Sequence, residues 1–470
     1  MTGRGLFFRF YIALSMLSLA LDVRLFPMEA LAVKALPFFF FLFVAGLGIP
    51  AFHPREFLSF VRTRKVLLLL ALLFFLSGLF SVGFSPVPAV LGLKCLFRYG
   101  LYFGASFLFL FLRHLEGEEL SVFFLKVLAG LAVFFVIVSL FEVNCPDFAR
   151  FLADRFRSGE YQTVGGRLRA GATLFHPNIF GCFSALAMLV LTCLKSEGEM
   201  RSRCFYPLVL FLAVGLALSG SRNALFVLLV PALLLVVGKA ARRPGIFLIA
   251  TALIVLVVPS PMSSRFGHLG HRAGGHPGRA DARIKGPELP VSLLPQKVTG
   301  LSAVQSKVPR VPLPPKRPLL GTRPLLWQSA IAMFREYPLT GVGPGGFNTA
   351  LRDYAPKPLL ALEKDKIDDG YLNAHNGFLN ILAEFGAPGA AVVLAAVLYV
   401  LFILISRYGI WPPGPVPALF FGVFLSFIPD AFFYSGFYMV VSLSLVLLFA
   451  FPSEGRAGRL GAAPQQEPSP

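Results

Sequence analysis

The residues in this 470-residue chain best suited to chemistry are a histidine and three arginines, each placed where a polar stretch meets an apolar run. His375 lies in Ala374-His375-Asn376-Gly377-Phe378-Leu379, where a long hydrophilic segment gives way to an apolar one. An imidazole titrates near pH 6.5, so it accepts a proton at neutral pH where lysine or arginine does not. The plainer reading of the same phrase is a helix start, with Asn376 as its polar cap. Arg222 stands in the tight turn Ser219-Gly220-Ser221-Arg222-Asn223 between two apolar runs. A charge at such a boundary is costly unless it is paired or serves a ligand; the bland alternative is an arginine snorkelling to lipid phosphates. Arg169, just ahead of Ala170-Gly171-Ala172-Thr173-Leu174-Phe175-His176-Pro177-Asn178, and Arg323, four residues before Trp327, are similarly placed. Three guanidinium groups brought from three segments to one face would bind a multiply charged anion, because each can grip two phosphate oxygens at once.

Other clusters read more simply. Gly341-Val342-Gly343-Pro344-Gly345-Gly346 has the composition of a phosphate-cradling loop but lacks a following Lys-Ser/Thr and a βαβ setting, so it is expected to be a tight turn that allows close backbone packing. Asp365, Asp368 and Asp369 are interleaved with Lys364 and Lys366, the pattern of a solvated face rather than a divalent-ion site. His268, His271 and His276 are separated by Gly and Pro, which does not favour a structured zinc site. No metal and no cofactor is expected. Lys94 and Arg98 share one face of an apolar span at i, i+4; either they approach its cytoplasmic end or they hold a lipid headgroup.

What must position these residues is almost entirely apolar. The chain is 56% hydrophobic and 14% charged, with a mean hydropathy of +0.73, against about a quarter charged in an ordinary globular protein. Runs long enough to cross roughly 30 Å of hydrocarbon predict an all-α polytopic membrane protein, and the ten-residue alternation of a β-barrel is missing. Apolar spans are expected near 6–21, 31–49, 66–82, 89–112, 121–141, 178–194, 205–219, 222–238, 245–258, 379–406, 416–430 and 436–451. Twelve spans put both ends on one side. With that side inside, the inner connections hold Arg55, Arg62, Arg64 and Lys65, then Arg113, then Lys195, Arg201 and Arg203, then Lys239, Arg242 and Arg243, and lastly Arg407. Basic inner loops are the usual orienting signal, so the net charge of +19 reads as topology and headgroup contact rather than nucleic-acid binding.

This organisation divides the chain into nine N-terminal spans over 1–258 with an outer loop at 142–177, a large outer loop at 259–378, three C-terminal spans over 379–452, and a cytoplasmic tail at 453–470. Within the large loop, 268–318 is low-complexity and rich in Gly, Pro, Lys and Arg. The motif-bearing part, 323–378, is expected to open with a short amphipathic helix carrying Leu325, Trp327, Ala330, Ile331 and Phe334. Five cysteines, three of them inside apolar runs, give no disulfide framework.

The ordered set of short motifs resembles the O-antigen ligase and polymerase superfamily. The set runs Arg169…Gly171…Thr173…Phe175…Pro177-Asn178, then Gly220-Ser221-Arg222-Asn223-Ala224-Leu225, then Arg323…Trp327, then Pro338-Leu339-Thr340-Gly341-Val342-Gly343-Pro344-Gly345-Gly346-Phe347, then His375-Asn376-Gly377-Phe378-Leu379…Leu382-Ala383-Glu384-Phe385-Gly386. The proline-rich stretch at 268–318 departs from the family pattern. The resemblance implies an inverting, metal-independent glycosyltransferase at the outer face of a bacterial inner membrane, with a glycan on undecaprenyl pyrophosphate as donor and a lipid A core or similar acceptor. His375 would then activate or orient the acceptor hydroxyl. Arg222, Arg169 and Arg323 would hold the pyrophosphate, with Asn376, Ser221 and Asn178 in support. A pyrophosphate leaving group needs its charge neutralised more than it needs a proton, which this set supplies. A polymerase of the same superfamily, a protein O-oligosaccharyltransferase and a membrane transporter are the alternatives; continuous spans with the polar residues gathered at one face argue against transport.

Overall fold

The computed structural model describes residues 3–21, 36–156, 162–164, 167–174, 176–238, 241–262, 322–368, 372–409, 414–427 and 436–451. The low-complexity stretch 268–318, with its three histidines, and the tail 453–470 lie outside the described residues, as does Asp369.

Each of the twelve expected apolar stretches falls on a helix. These are α1 (Gly3–Ala20), α2 (Leu36–Phe52), α4 (Lys65–Phe84), α5 (Ala89–Glu116), α6 (Glu118–Asn144), α8 (Pro177–Ser196), α9 (Ser202–Ser219), α10 (Arg222–Val237), α11 (Arg242–Val257), α15 (Gly377–Tyr408), α16 (Pro415–Phe427) and α17 (Gly436–Ala450). Six of them, α4, α5, α6, α8, α9 and α15, have the length and composition to cross a membrane, and four more are apolar but shorter. In hydrocarbon a backbone must satisfy its own hydrogen bonds, so long Leu-, Phe- and Ala-rich runs become helices. The protein is an all-α polytopic membrane protein.

Helix α8 is the hub. Every side chain from Pro177 to Leu194 is buried, and it packs against α6, α9, α10 and α16. A helix apolar all round belongs at the centre of a bundle. By contrast, α4 exposes Leu69, Leu72, Leu76 and Leu79, and α15 exposes Leu394, Leu398 and Phe402, the faces of helices that meet lipid.

The connections contain structure of their own. Helices α3 (Pro54–Thr63) and α7 (Pro146–Phe156), and a hairpin of β1 (Thr163–Val164) with β2 (Arg167–Leu168), precede α8. The hairpin is antiparallel, pairing Thr163 with Leu168 and Val164 with Arg167. Helices α12 (Arg323–Glu336), α13 (Phe347–Tyr354) and α14 (Lys357–Asp368) follow α11. The expected helix after Arg323 is α12, but its buried stripe is Leu326, Ser329, Ala330 and Met333, while Trp327 and Ile331 are each 37% exposed. The stripe is rotated because α12 docks on α15 and a small protein core rather than on a lipid surface.

The two ends of the bundle differ in chemistry. One end carries ion pairs at the basic connections: Arg9–Glu119 at 3.0 Å, Arg113–Glu118, and Lys126–Glu199 at 2.8 Å. Arg113 also donates to the Phe451 carbonyl, and the Tyr408 hydroxyl to that of Phe449, which closes α15 and α17 against α5. The predicted motifs occupy the opposite end. There Thr173 Oγ1 donates to the Ala20 carbonyl at 2.8 Å, and Ser81 Oγ to the carbonyls of Thr340 and Glu384, tying loop segments to the ends of α1 and α4.

Candidate active site

Arg222 owes its position to a two-residue connection. Helix α9 ends at Gly220 in the left-handed conformation (φ 58°), a cap that glycine reaches without a Cβ penalty. Ser221 then caps α10, its hydroxyl accepting from Ala224 N at 3.4 Å. Arg222 is therefore the first residue of α10 and is exposed. A cation at a helix N-terminus opposes the helix dipole, so this arginine is not there to stabilise α10. Arg323 is likewise the first residue of α12. A helix N-terminus is by itself favourable ground for an anion.

Arg169 is buried, 3% exposed, and every nitrogen of its guanidinium is engaged. Nε donates to the Ser219 carbonyl at 2.8 Å, Nη1 to Gln162 Oε1 at 2.7 Å and Nη2 to Asn178 Oδ1 at 2.7 Å. One side chain thus joins the loop before α8, the start of α8 and the α9–α10 turn. These three acceptors are neutral and orient the cation. The loop itself is anchored from below by the buried Glu142 of α6, whose Oε2 accepts from Gly171 N at 3.2 Å and Ala172 N at 2.9 Å. His176 caps α8, with Nδ1 accepting from Asn178 N at 3.0 Å.

His375 belongs to a second assembly. Its φ is +47°, an uncommon conformation for a residue with a side chain. The strain is held by neighbours: His375 N donates to Asn373 Oδ1 at 2.8 Å, and Ala374 N to Asn380 Oδ1 at 3.4 Å. Asn376 is the helix cap that its sequence suggests, accepting from Leu379 N at 3.0 Å. Strained backbone of this kind concentrates at functional sites. Ala374, next to His375, and Leu326, three residues after Arg323, are buried in one small core with Val342, Phe347, Leu351 and Ala383. That core sets Arg323 and His375 on a common scaffold. Tyr354, at the end of α13, has its phenol pushed up, first by burial and then by Glu336 beside it.

The glycine loop is a turn, and its amides are directed at the protein. Gly345 N and Phe347 N donate to the carboxylate of Glu384 at 3.0 and 3.3 Å, and Gly343 N to the Glu384 carbonyl at 3.1 Å. Glu384 is fully buried. Two residues later α15 breaks at Gly386 (φ 66°, ψ −166°), a conformation open essentially to glycine. A Cβ there would lie 2.6 Å from the backbone of Leu339. The break separates a short segment carrying Asn376 to Phe385 from the long apolar one.

Asn376 is the helix cap that the sequence suggested; Arg169 is hydrogen-bonded to Asn178 and to the Ser219 carbonyl of the turn before Arg222, while Arg323 and His375 belong to the second assembly. Sequence reasoning assigned no role to Glu142 or Glu384. The available signal was a carboxylate inside an otherwise apolar helix. Lys94 and Arg98 lie near the end of α5 that meets the glycine loop, since a Cβ on Gly92 would come within 3.6 Å of Pro344.

The motif end of this membrane bundle carries two arginines at helix N-termini, a histidine at positive φ and a packed glycine loop. Residues 207–394 match the family described as O-Antigen ligase, so this stretch of the chain is similar to that family. The matched stretch includes Ser221, Arg222, Arg323, Glu384, His375 and Asn376; Arg169 and Asn178 precede it. No curated protein matches the chain.

Proposed function

We propose that the protein is a ligase-type glycosyltransferase that moves a glycan from undecaprenyl pyrophosphate to a sugar hydroxyl of a lipid A core or similar acceptor, at the outer face of the inner membrane. The observation that carries this reading is that one family match spans Arg222, Arg323 and His375. All twelve apolar helices are taken as crossings, which returns the chain to its starting side and sets the motif end outside, opposite the basic connections.

In this reading Arg222, Arg169 and Arg323 hold the pyrophosphate. His375 takes the proton as the acceptor oxygen attacks the anomeric carbon from the face opposite the leaving group. The new C–O bond forms as the bond to the pyrophosphate breaks, the electron pair leaves with the phosphate, and the configuration inverts. Charge developing on the leaving oxygens is met by fixed guanidinium groups and helix ends in a low-dielectric site, where such interactions are strongest. The route draws on no metal. Ser221, Asn178 and Asn376 hold the backbone that presents these groups.

A polymerase would use the same donor chemistry with a second lipid-linked glycan as acceptor. Purified protein in nanodiscs, given lipid-linked glycan and either acceptor, separates the two by product mass. His375→Ala and Arg222→Ala should each lower turnover by about 10²–10³-fold. Near-unaltered transfer by either variant rejects its assigned role.

A further inference from the structure

Helix α5 begins beside the glycine loop: besides the Gly92–Pro344 approach, a Cβ on Gly345 would stand 3.2 Å from that of Cys95. One face of this part of the helix, Cys95, Leu96 and Tyr99, is buried in the bundle. The other face is exposed and apolar, with Val90 at 60%, Leu93 at 49% and Phe97 at 55%. In the middle of that face stand Lys94 and Arg98, both exposed and one turn apart. With Leu93 and Phe97 they line an open groove of about 460 Å³. The two cations sit in the first third of α5, so the helix dipole does not favour them. Charges on a lipid-facing surface are costly without an anionic partner.

Glycan transfer between lipids needs two amphiphiles at once. The donor's pyrophosphate takes the arginine group around Arg169 and Arg222, and a phosphorylated glycolipid acceptor brings phosphates of its own. One cationic group does not neutralise both lipids together. We infer that the Lys94–Arg98 groove binds the phosphate of the glycolipid acceptor, with Leu93 and Phe97 against its acyl chains, and holds it beside the glycine loop while its sugar reaches His375. The loop provides the link: it packs on α5 and is bonded to Glu384 in the segment that follows His375. This inference rests on the ligase reading above.

The test uses full-length protein in nanodiscs with Lys94→Gln, Arg98→Gln, the double variant and Lys94→Arg. Initial rates are measured against lipid A core at saturating donor, and against donor at saturating lipid A core. The double variant should raise KM for the acceptor by about tenfold or more, with kcat and the donor KM held within about twofold, and Lys94→Arg should stay close to the parent. In parallel, native mass spectrometry compares retention of diphosphoryl lipid A with retention of the same lipid after phosphatase treatment. The parent should favour the phosphorylated lipid and the double variant should not. An unchanged acceptor KM overturns the inference, leaving two snorkelling side chains, and so does a rise in donor KM alone. If the parent protein transfers nothing, the ligase reading fails at that step and lipid A retention decides the groove: phosphate selectivity lost in the double variant supports it, and equal retention refutes it.

Discussion

Arg169 Nη2 donates to Asn178 Oδ1 at 2.7 Å, so a loop arginine and the second residue of a buried hub helix are held as one unit. The same guanidinium reaches the Ser219 carbonyl, two residues before the Ser221 cap of the helix that Arg222 opens. The spacing between these arginines is therefore set by hydrogen bonds between segments that lie far apart in sequence.

Arg169→Ala should destabilise the protein by about 1–3 kcal/mol for each buried acceptor that it strands. Arg169→Lys keeps the charge but not the planar fork, so it should fold better and still lose about tenfold or more in transfer. Thermal unfolding in detergent, paired with a transfer assay, distinguishes these outcomes; a lysine variant of full activity would show that charge alone is needed.

His375 allows fold and chemistry to be separated through its backbone. Glycine and asparagine tolerate a left-handed φ. His375→Gly and His375→Asn should therefore keep the parent melting temperature within a few degrees and still lose about 10²–10⁴-fold in transfer. His375→Ala leaves the backbone strain in place, since alanine also carries a Cβ. Substantial transfer by the asparagine variant would remove the imidazole from the reaction.

Glu384→Gln keeps the shape but replaces one acceptor oxygen with an N–H donor facing backbone N–H groups. The expected loss is about 1.5–3 kcal/mol, the range for hydrogen bonds to a charged group. Hydrogen exchange should rise in 341–347 and in 372–380 before it rises in α8. Uniform exchange across the bundle would show that Glu384 stabilises the whole molecule and not this loop.

Gly386→Ala meets both an unfavourable φ/ψ and the backbone of Leu339. A penalty of about 1–3 kcal/mol for the backbone alone is expected. The variant should melt earlier, and a melting temperature equal to the parent's would mean that the segment straightens without cost.

Much of this was legible from residue types. The twelve apolar runs became helices because hydrocarbon leaves the backbone few alternatives, and Asn376 announced a helix start through local chemistry alone. The helices inside polar stretches, α7, α13 and α14, were not read individually. They are 11, 8 and 12 residues long, and helices this short owe their stability to packing. The stripe on α12 differs from the expected one around Trp327 because Leu326 and Met333 meet a small protein core that only the folded chain builds. Glu142 and Glu384 remained without roles for a related reason: each serves amides that only the folded chain brings within reach.

The interruption at Gly386 also bears on how the protein lives in membranes of different thickness. A bilayer that swells or thins changes the inclination of an apolar rod at a modest cost per ångström. Here the rod that feels this pressure begins after the interruption, while the stub bearing Asn376 to Phe385 is pinned to the loop by the Glu384 carboxylate. Leaning of the long segment is thus absorbed at the joint, and the imidazole keeps its register with the polar end whatever the lipid.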